Sequence, residues 1–452
     1  KEEHRRRALY QRKKKKLKTN LVIPPMPFPS KRRRKKKEPS PTPNRPMSNP
    51  EKRKRKRKNE EPSSPTLPST PDPSTSSPKK ERKTTATTQT QQSSPFLSLP
   101  SDLLLNCVAR ISRLYHPTLS LVCKRFRSLL ASPELYKVRS LLGHTERCLY
   151  ACIRHGTDSR WYTLCRKPDK ILDNDETKSK SSGYALARVP FPDSPLADYP
   201  GLVAVGSSIY QIAHWGDTSV SVLDCRSHTW REAPSFPVKL STRFASVVDQ
   251  KIYVAGRYEL GDPPLSNLFH VFDTESQVWD ALLPLPFTGN YRVLRTACID
   301  GKFCTISCSE VDVSPVIIGS GSWDLVRSGM NKYMYSNSYC VIENVLYSAS
   351  HGIFRWFDSE AHKWRNLNGL VGLPKLRCEH GIRLADYGGN MVVSWKQHTY
   401  YSFLPQTKIW CAEVSLERRR ESCEIWGKVE WLEHMLTAPR IIDVIKVLAV
   451  AV

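Results

Sequence analysis

The chain has 452 residues, enough for two or three domains and a sizeable core. Its formal charge of +27 suggests nucleic acid, but residues 1–92 carry 29 Lys+Arg against 8 Asp+Glu, while the other 360 residues carry 41 against 35. The basicity thus belongs to a tail; no apolar run reaches the ~18 residues that would span a bilayer, and no secretory h-region is read near Lys1.

The tail, residues 1–92, holds 15 of the 34 prolines and no Cys or Trp, so it cannot bury enough apolar surface to offset chain entropy and is expected to be disordered. Three basic blocks, Arg12 to Lys16, Lys31 to Lys37 and Lys52 to Lys58, suit a nuclear import receptor or non-specific contact with phosphate backbones, or are simply solvated. Met47 opens a stretch that reads as a natural beginning, with residues 1–46 as an extension. The 13 cysteines, odd in number and scattered singly, fit a reducing nucleus or cytoplasm, and Cys304 with Cys308 reads as core packing.

Order is expected from about residue 93, in three short helices up to residue 141. Pro100 and Asp102 suit the start of the first, with Leu103 to Ile111 following. Tyr115-His116-Pro117 ends that helix, and Leu119, Val122, Phe126 and Leu129 form one apolar stripe on the second. Ser132-Pro133-Glu134 caps the third. Three such helices cannot bury all of their leucines against one another, so the next domain or a partner must cover the excess. The Leu99-Pro100 pair, the Leu-rich helix and the SLVCKRFRSL run together resemble an F-box. That resemblance implies docking to an SKP-type adaptor, and through it to a cullin–RING ubiquitin ligase. Leu99, Pro100, Leu103, Leu104, Val122, Cys123 and Phe126 would form or support the adaptor-facing surface.

From residue 142 the pattern changes to short alternating strands with an internal repeat. VSVLDCRSHTW (220–230), FHVFDTESQVW (269–279) and FRWFDSEAHKW (354–364) each place five residues between an Asp and a Trp: Asp224/Trp230, Asp273/Trp279 and Asp358/Trp364. The Asp can bond its own turn and the Trp opens the return strand, as a plate between neighbouring units. Trp323 and Trp410 continue the series without the Asp; the spacings from Trp230 to Trp410 are 49, 44, 41 and 46 residues. A period in the forties with four short strands per unit indicates a β-propeller. Five units are counted between residues 200 and 431. A closed ring needs its ends joined, so VIKVLAVAV at the end of the chain is expected to pair with the 149–165 strands in a sixth, mixed blade. The Asp-x5-Trp unit resembles kelch, although of the usual Gly-Gly pair only Val254-Ala255-Gly256-Arg257 comes near. With the F-box, the CLYACI…RWYTLCRKPDK junction and the IWCAEVSLERR and WGKVEW segments, the chain resembles the plant F-box/kelch-repeat proteins over about residues 95–452.

The fold class expected is thus mainly β: a three-helix F-box (93–141) before a six-bladed kelch propeller (142–452), preceded by a disordered basic tail (1–92). No GxSxG elbow, phosphate-cradling Gly loop or HExxH is present, and the histidines fall at unequal repeat positions. No catalytic residue, metal or cofactor is expected, and no membrane partner. The resemblance implies a substrate-recognition subunit of an SCF-type ligase, in the nucleus or cytoplasm, whose propeller grips an unidentified protein through loops such as Arg257 to Asn267. Two other classes stay open: a basic-tailed nuclear scaffold associated with nucleic acid, marked by steep salt dependence, and a kelch-type metal or oxidative enzyme, marked by bound metal.

Overall fold

A computed structural model describes residues 99–167, 183–191, 194–212, 216–258, 266–283, 293–307, 313–318, 322–327, 329–334, 337–377, 380–399 and 406–452. The basic blocks of the tail, Cys308 and most of the Arg257–Asn267 loop lie outside these residues.

The helical region departs from the three helices expected. It comprises α1 (Ser101–Ala109), a 3-10 turn (Arg113–Tyr115), α2 (His116–Leu119), α3 (Lys124–Leu130) and α4 (Pro133–Leu141). Pro100 stands just before α1 rather than in its first turn. The anticipated second helix is cut in two because Ser120 Oγ turns back to the Pro117 carbonyl (2.6 Å) and Cys123 is extended. The Cys123 thiol then caps α3 by accepting from the Phe126 amide (3.4 Å). The Leu119–Leu129 stripe is therefore not one helical face. Ser132 does cap α4, accepting from the Leu135 amide at 3.4 Å, with Pro133 in the first turn.

The rest is a β-propeller of four-stranded antiparallel sheets, six among the described residues. The first contains β1 (Arg147–His155), β2 (Asp158–Arg166) and β3 (Tyr184–Arg188); the second is β4 to β7 (Leu202–Val205, Ser208–Ile212, Val220–Asp224, Thr229–Ala233). The third is β8 to β11 (Thr242–Val248, Lys251–Tyr258, Ser266–Asp273, Val278–Ala281) and the fourth β12 to β15 (Val293–Ile299, Lys302–Ser307, Val313–Ile318, Ser322–Arg327). The fifth is β16 to β19 (Tyr339–Ile342, Val345–Ser350, Ile353–Asp358, Lys363–Asn366) and the sixth β20 to β23 (Arg383–Tyr387, Asn390–Thr399, Gln406–Arg419, Glu424–Ala438). The last strand, β24 (Ile442–Ala451), joins the first sheet, pairing antiparallel with β1 from Arg147↔Ala451 to His155↔Ile442. The C-terminal strand thus covers the β1 edge, as the unpaired-edge argument required. One edge strand of each sheet, β4, β8, β12, β16, β20 or β24, touches its counterpart in both neighbouring sheets, so these strands form an inner ring.

Local chemistry accounts for the turns. Asp249-Gln250, Asp300-Gly301 and Glu343-Asn344 each have positive φ at both positions, the two-residue hairpin geometry that matches strand twist. The repeat aspartates bond their own turns: Asp224 Oδ1 accepts from Arg226 N (2.8 Å), Asp273 Oδ1 from Glu275 N (2.9 Å), and Asp358 Oδ1 from Ala361 N (3.0 Å). Residues His228, Gln277 and His362 take the left-handed position that closes each turn. The kelch-like Gly256 is needed for space: a Cβ there would lie 2.3 Å from Leu240 Cδ1.

The repeat tryptophans join sheet to sheet through the outer strands. Trp279 Nε1 donates to Pro234 O (2.9 Å), Trp323 Nε1 to Leu283 O (2.7 Å) and Trp364 Nε1 to Gly329 O (3.1 Å). Each acceptor lies just beyond the outer strand of the preceding sheet. Trp230 meets the first sheet differently, packing on Trp161 and Phe191 at centroid distances of 6.0 Å. Trp410 is a correction. It sits on β22, the third strand of its sheet, and stacks on Trp395 of that same sheet at 6.3 Å. The counterpart is Trp426 on β23, bridged to Asn368 just after the preceding outer strand. The even spacing misleads because the β22–β23 hairpin is far longer than its equivalents.

Candidate protein-docking surface

The helical region has two faces with opposite environments. Inward, Leu104, Val108, Phe126, Leu130, Leu135 and Tyr136 share one core with Tyr150, Trp161, Leu223 and Val450 of the first two sheets. The propeller therefore absorbs part of the leucine excess. Outward, Leu103 is 55% exposed, Leu121 77% and Val122 62%, and Pro100 is exposed beside them in sequence. Arg125 on α3 donates to Leu99 O (3.1 Å) and Ser101 Oγ (3.3 Å), tying the Leu99–Ser101 segment to the helix that follows the Leu121–Val122 turn.

The seven residues expected at the docking surface thus divide. Pro100, Leu103 and Val122 face solvent; Leu99 and Cys123 are half-buried; Leu104 and Phe126 are buried and support the surface from beneath. Sequence reasoning left out Leu121, because a continuous helix would have placed it off the apolar stripe.

The seat of this unit on the propeller is a buried polar network that no spacing in the sequence marks. Arg113, from the 3-10 turn, donates through Nη1 to the Tyr136 hydroxyl and through Nη2 to Cys225 O (2.9 Å) and the Tyr150 hydroxyl (3.2 Å). The Tyr150 hydroxyl lies 2.7 Å from His228 Nε2 and 3.1 Å from Cys225 O. Arg139 on α4 donates to Ala109 O (2.9 Å) and Ile111 O (2.7 Å), and Glu146 accepts from the Arg113 amide (2.7 Å) while facing Arg139 at 3.5 Å. Burial, then the nearby Arg113 charge, pushes the His228 imidazole down to about 4. Burial, then Arg113 and Arg139, pushes His116 down to about 3. Both are neutral at ordinary pH, as histidines beside a buried guanidinium must be.

Among the described residues no group of three or more His, Cys, Asp or Glu side chains could hold a metal ion. Cys304 is buried in the core of its sheet. No helix among the described residues is long and apolar enough to cross a membrane.

The profile of the F-box domain matches residues 96–138, and that of the "FKB95, Kelch-repeats domain" matches residues 161–436. The chain is 49% identical over 361 residues to F-box/kelch-repeat protein At5g51250 of Arabidopsis thaliana, covering 76% of this chain and 96% of that one. It is 46% identical over 379 residues to F-box/kelch-repeat protein At3g06570 of the same plant, covering 80% and 94%. This chain belongs to the F-box/kelch-repeat family. Proteins built this way are generally adaptors rather than enzymes, F-box domains binding SKP-type adaptors and kelch propellers binding substrates. In this F-box/kelch-repeat protein both parts share one hydrophobic core, which fixes the helical region against the first two sheets.

Proposed function

We propose that this protein is the substrate-recognition subunit of an SCF-type ubiquitin ligase, its F-box docking an SKP-type adaptor and its propeller gripping a target. The observation that carries the reading is the solvent-facing apolar group Pro100, Leu103, Leu121 and Val122 on a helical region whose other face is fixed to the first two sheets. Apolar side chains left in water at a rim of charged residues mark a protein contact. The chain brings no reacting group: a rigid link between adaptor and target raises the effective concentration of ubiquitin-loaded enzyme at a target lysine. We further read the inner strands as one closed ring of six blades, with β24 as its closure. The basic blocks of the tail suit import into the nucleus, and the protein works there or in the cytoplasm.

The test is capture of purified SKP-type adaptor by the full chain, beside a Leu103→Asp/Val122→Asp double variant. Capture by the parent and loss by a variant of unchanged melting temperature is the expected result. A well-folded parent that captures no adaptor overturns the reading and returns the protein to the scaffold class.

A further inference from the structure

The inner ring carries an unusual set of charges. Arg243 (β8), Arg295 (β12), Arg383 (β20) and Lys446 (β24) stand on four of its six strands. Two of them converge on one ring: Lys446 Nζ lies 4.5 Å from the centroid of Tyr199 and the Arg383 guanidinium carbon 5.5 Å from it. Lys446 donates to Leu202 O (2.6 Å) and Tyr199 O (3.4 Å), and Arg383 to Ile445 O (2.8 Å) and Ile382 O (3.0 Å). Arg295 is close enough to act electrostatically on Tyr199 and Tyr339.

Among the described residues, carboxylates reach Arg383 and Lys446 only at a distance, Asp443 acting on the first and Asp198 on the second. Asp198 reaches Arg243 at 3.9 Å, and Asp443 is paired with Lys396. Among the described residues neither Arg383 nor Lys446 has a carboxylate within ion-pair distance. Carbonyl dipoles solvate part of each cation: Lys446 Nζ donates twice and Arg383 through Nε and Nη1, which leaves the Nη2 group and one ammonium N–H to water or an anion. Like charges gathered in a half-buried site are costly unless an anion joins them. Burial, then Arg383, accordingly pushes the Lys446 ammonium down to about 7.

We propose that the inner ring of this propeller is an oxyanion site, in which Arg383 and Lys446, supported by Arg243 and Arg295, bind a carboxylate or phosphate group. A guanidinium and an ammonium around one aromatic ring suit an oxyanion, one as a planar fork and the other as a point charge. The inference does not depend on adaptor docking.

Thermal unfolding of the full chain tests it, with inorganic phosphate added at constant ionic strength, beside Lys446→Met. The parent should show a saturable rise in melting temperature, on the order of 2 °C at a few times the half-saturating concentration. Lys446→Met should melt at or above the parent without phosphate and lose the saturable rise; Arg383→Gln serves the same purpose if the first variant fails to fold. A short Asp/Glu peptide is the second arm. A shift with phosphate indicates a free oxyanion, and a shift with the peptide alone indicates a side-chain carboxylate of a partner; either supports the site. No saturable shift with either probe, or a shift kept in full by both variants, overturns it. A linear rise shared by parent and variants is the general salting effect of phosphate and also overturns it.

Discussion

In the propeller, Trp279, Trp323 and Trp364 each lie against the neighbouring sheet with the indole N–H held by a carbonyl. In the helical region, Leu103, Leu121 and Val122 stand in water although a core lies directly behind them. The same kind of side chain is spent on cohesion in one region and left free in the other. The difference lies in closure. A ring of sheets gives each sheet two neighbours, so its apolar surface is covered from within, whereas four short helices on one side of a ring have a single neighbour. What the ring does not cover is available to a partner.

The strongest way to break this contrast is to open the ring. Deleting residues 441–452 removes β24 and with it Ile442, Val444, Ile445, Val447 and Val450 from the core. The loss is on the order of 10 kcal/mol, comparable with the whole stability of a domain, and cooperative melting should disappear. A deletion variant with an unchanged melting curve would show that closure is not what holds the sheets.

Acid should act next, at the seat between the two regions. His116 and His228 are buried neutral, with folded values of about 3 and about 4 against an unfolded value near 6.5. The unfolded chain binds more protons between these limits. Stability is therefore full above about pH 6.5 and falls as pH drops through 6.5 towards 4. Each histidine contributes on the order of 1–2 kcal/mol of that loss at pH 5, readable as a lower melting temperature at pH 5 than at pH 7.5. Equal melting at both values would mean that the imidazoles reach water.

Arg113→Met sharpens the same point. It removes the donor shared by Tyr136, Tyr150 and Cys225 O, and should cost about 2 kcal/mol in urea unfolding, because buried acceptors are left short of partners. The smallest effect belongs to the outer face: Leu103→Asp/Val122→Asp should change stability by no more than about 0.5 kcal/mol per site, since both side chains already face solvent. A large loss there would mean that the patch is part of the core and not a docking face.

Much of this was readable from residue order, because it depends on local chemistry. The Asp224, Asp273 and Asp358 turns, the Ser132 cap, the four-strand period and the pairing of the last strand with the 149–165 segment all follow from which groups a short segment can satisfy by itself or must satisfy at an edge. Through its resemblance to an F-box, residue order also marks Leu99 to Phe126 as the segment proposed to dock an adaptor. Only the tertiary structure decides which of its residues face out, since the break at Ser120–Cys123 takes Val122 off the stripe that spacing suggests and exposes it beside Leu121. Trp410 was misplaced for a similar reason: a lengthened hairpin preserves the interval while changing the strand. Arg113, and the meeting of Arg383 with Lys446 on Tyr199, left no trace in any spacing. They join segments tens to hundreds of residues apart, and the cost of a buried charge depends on its neighbours in space, which a closed ring brings together and a linear pattern does not encode.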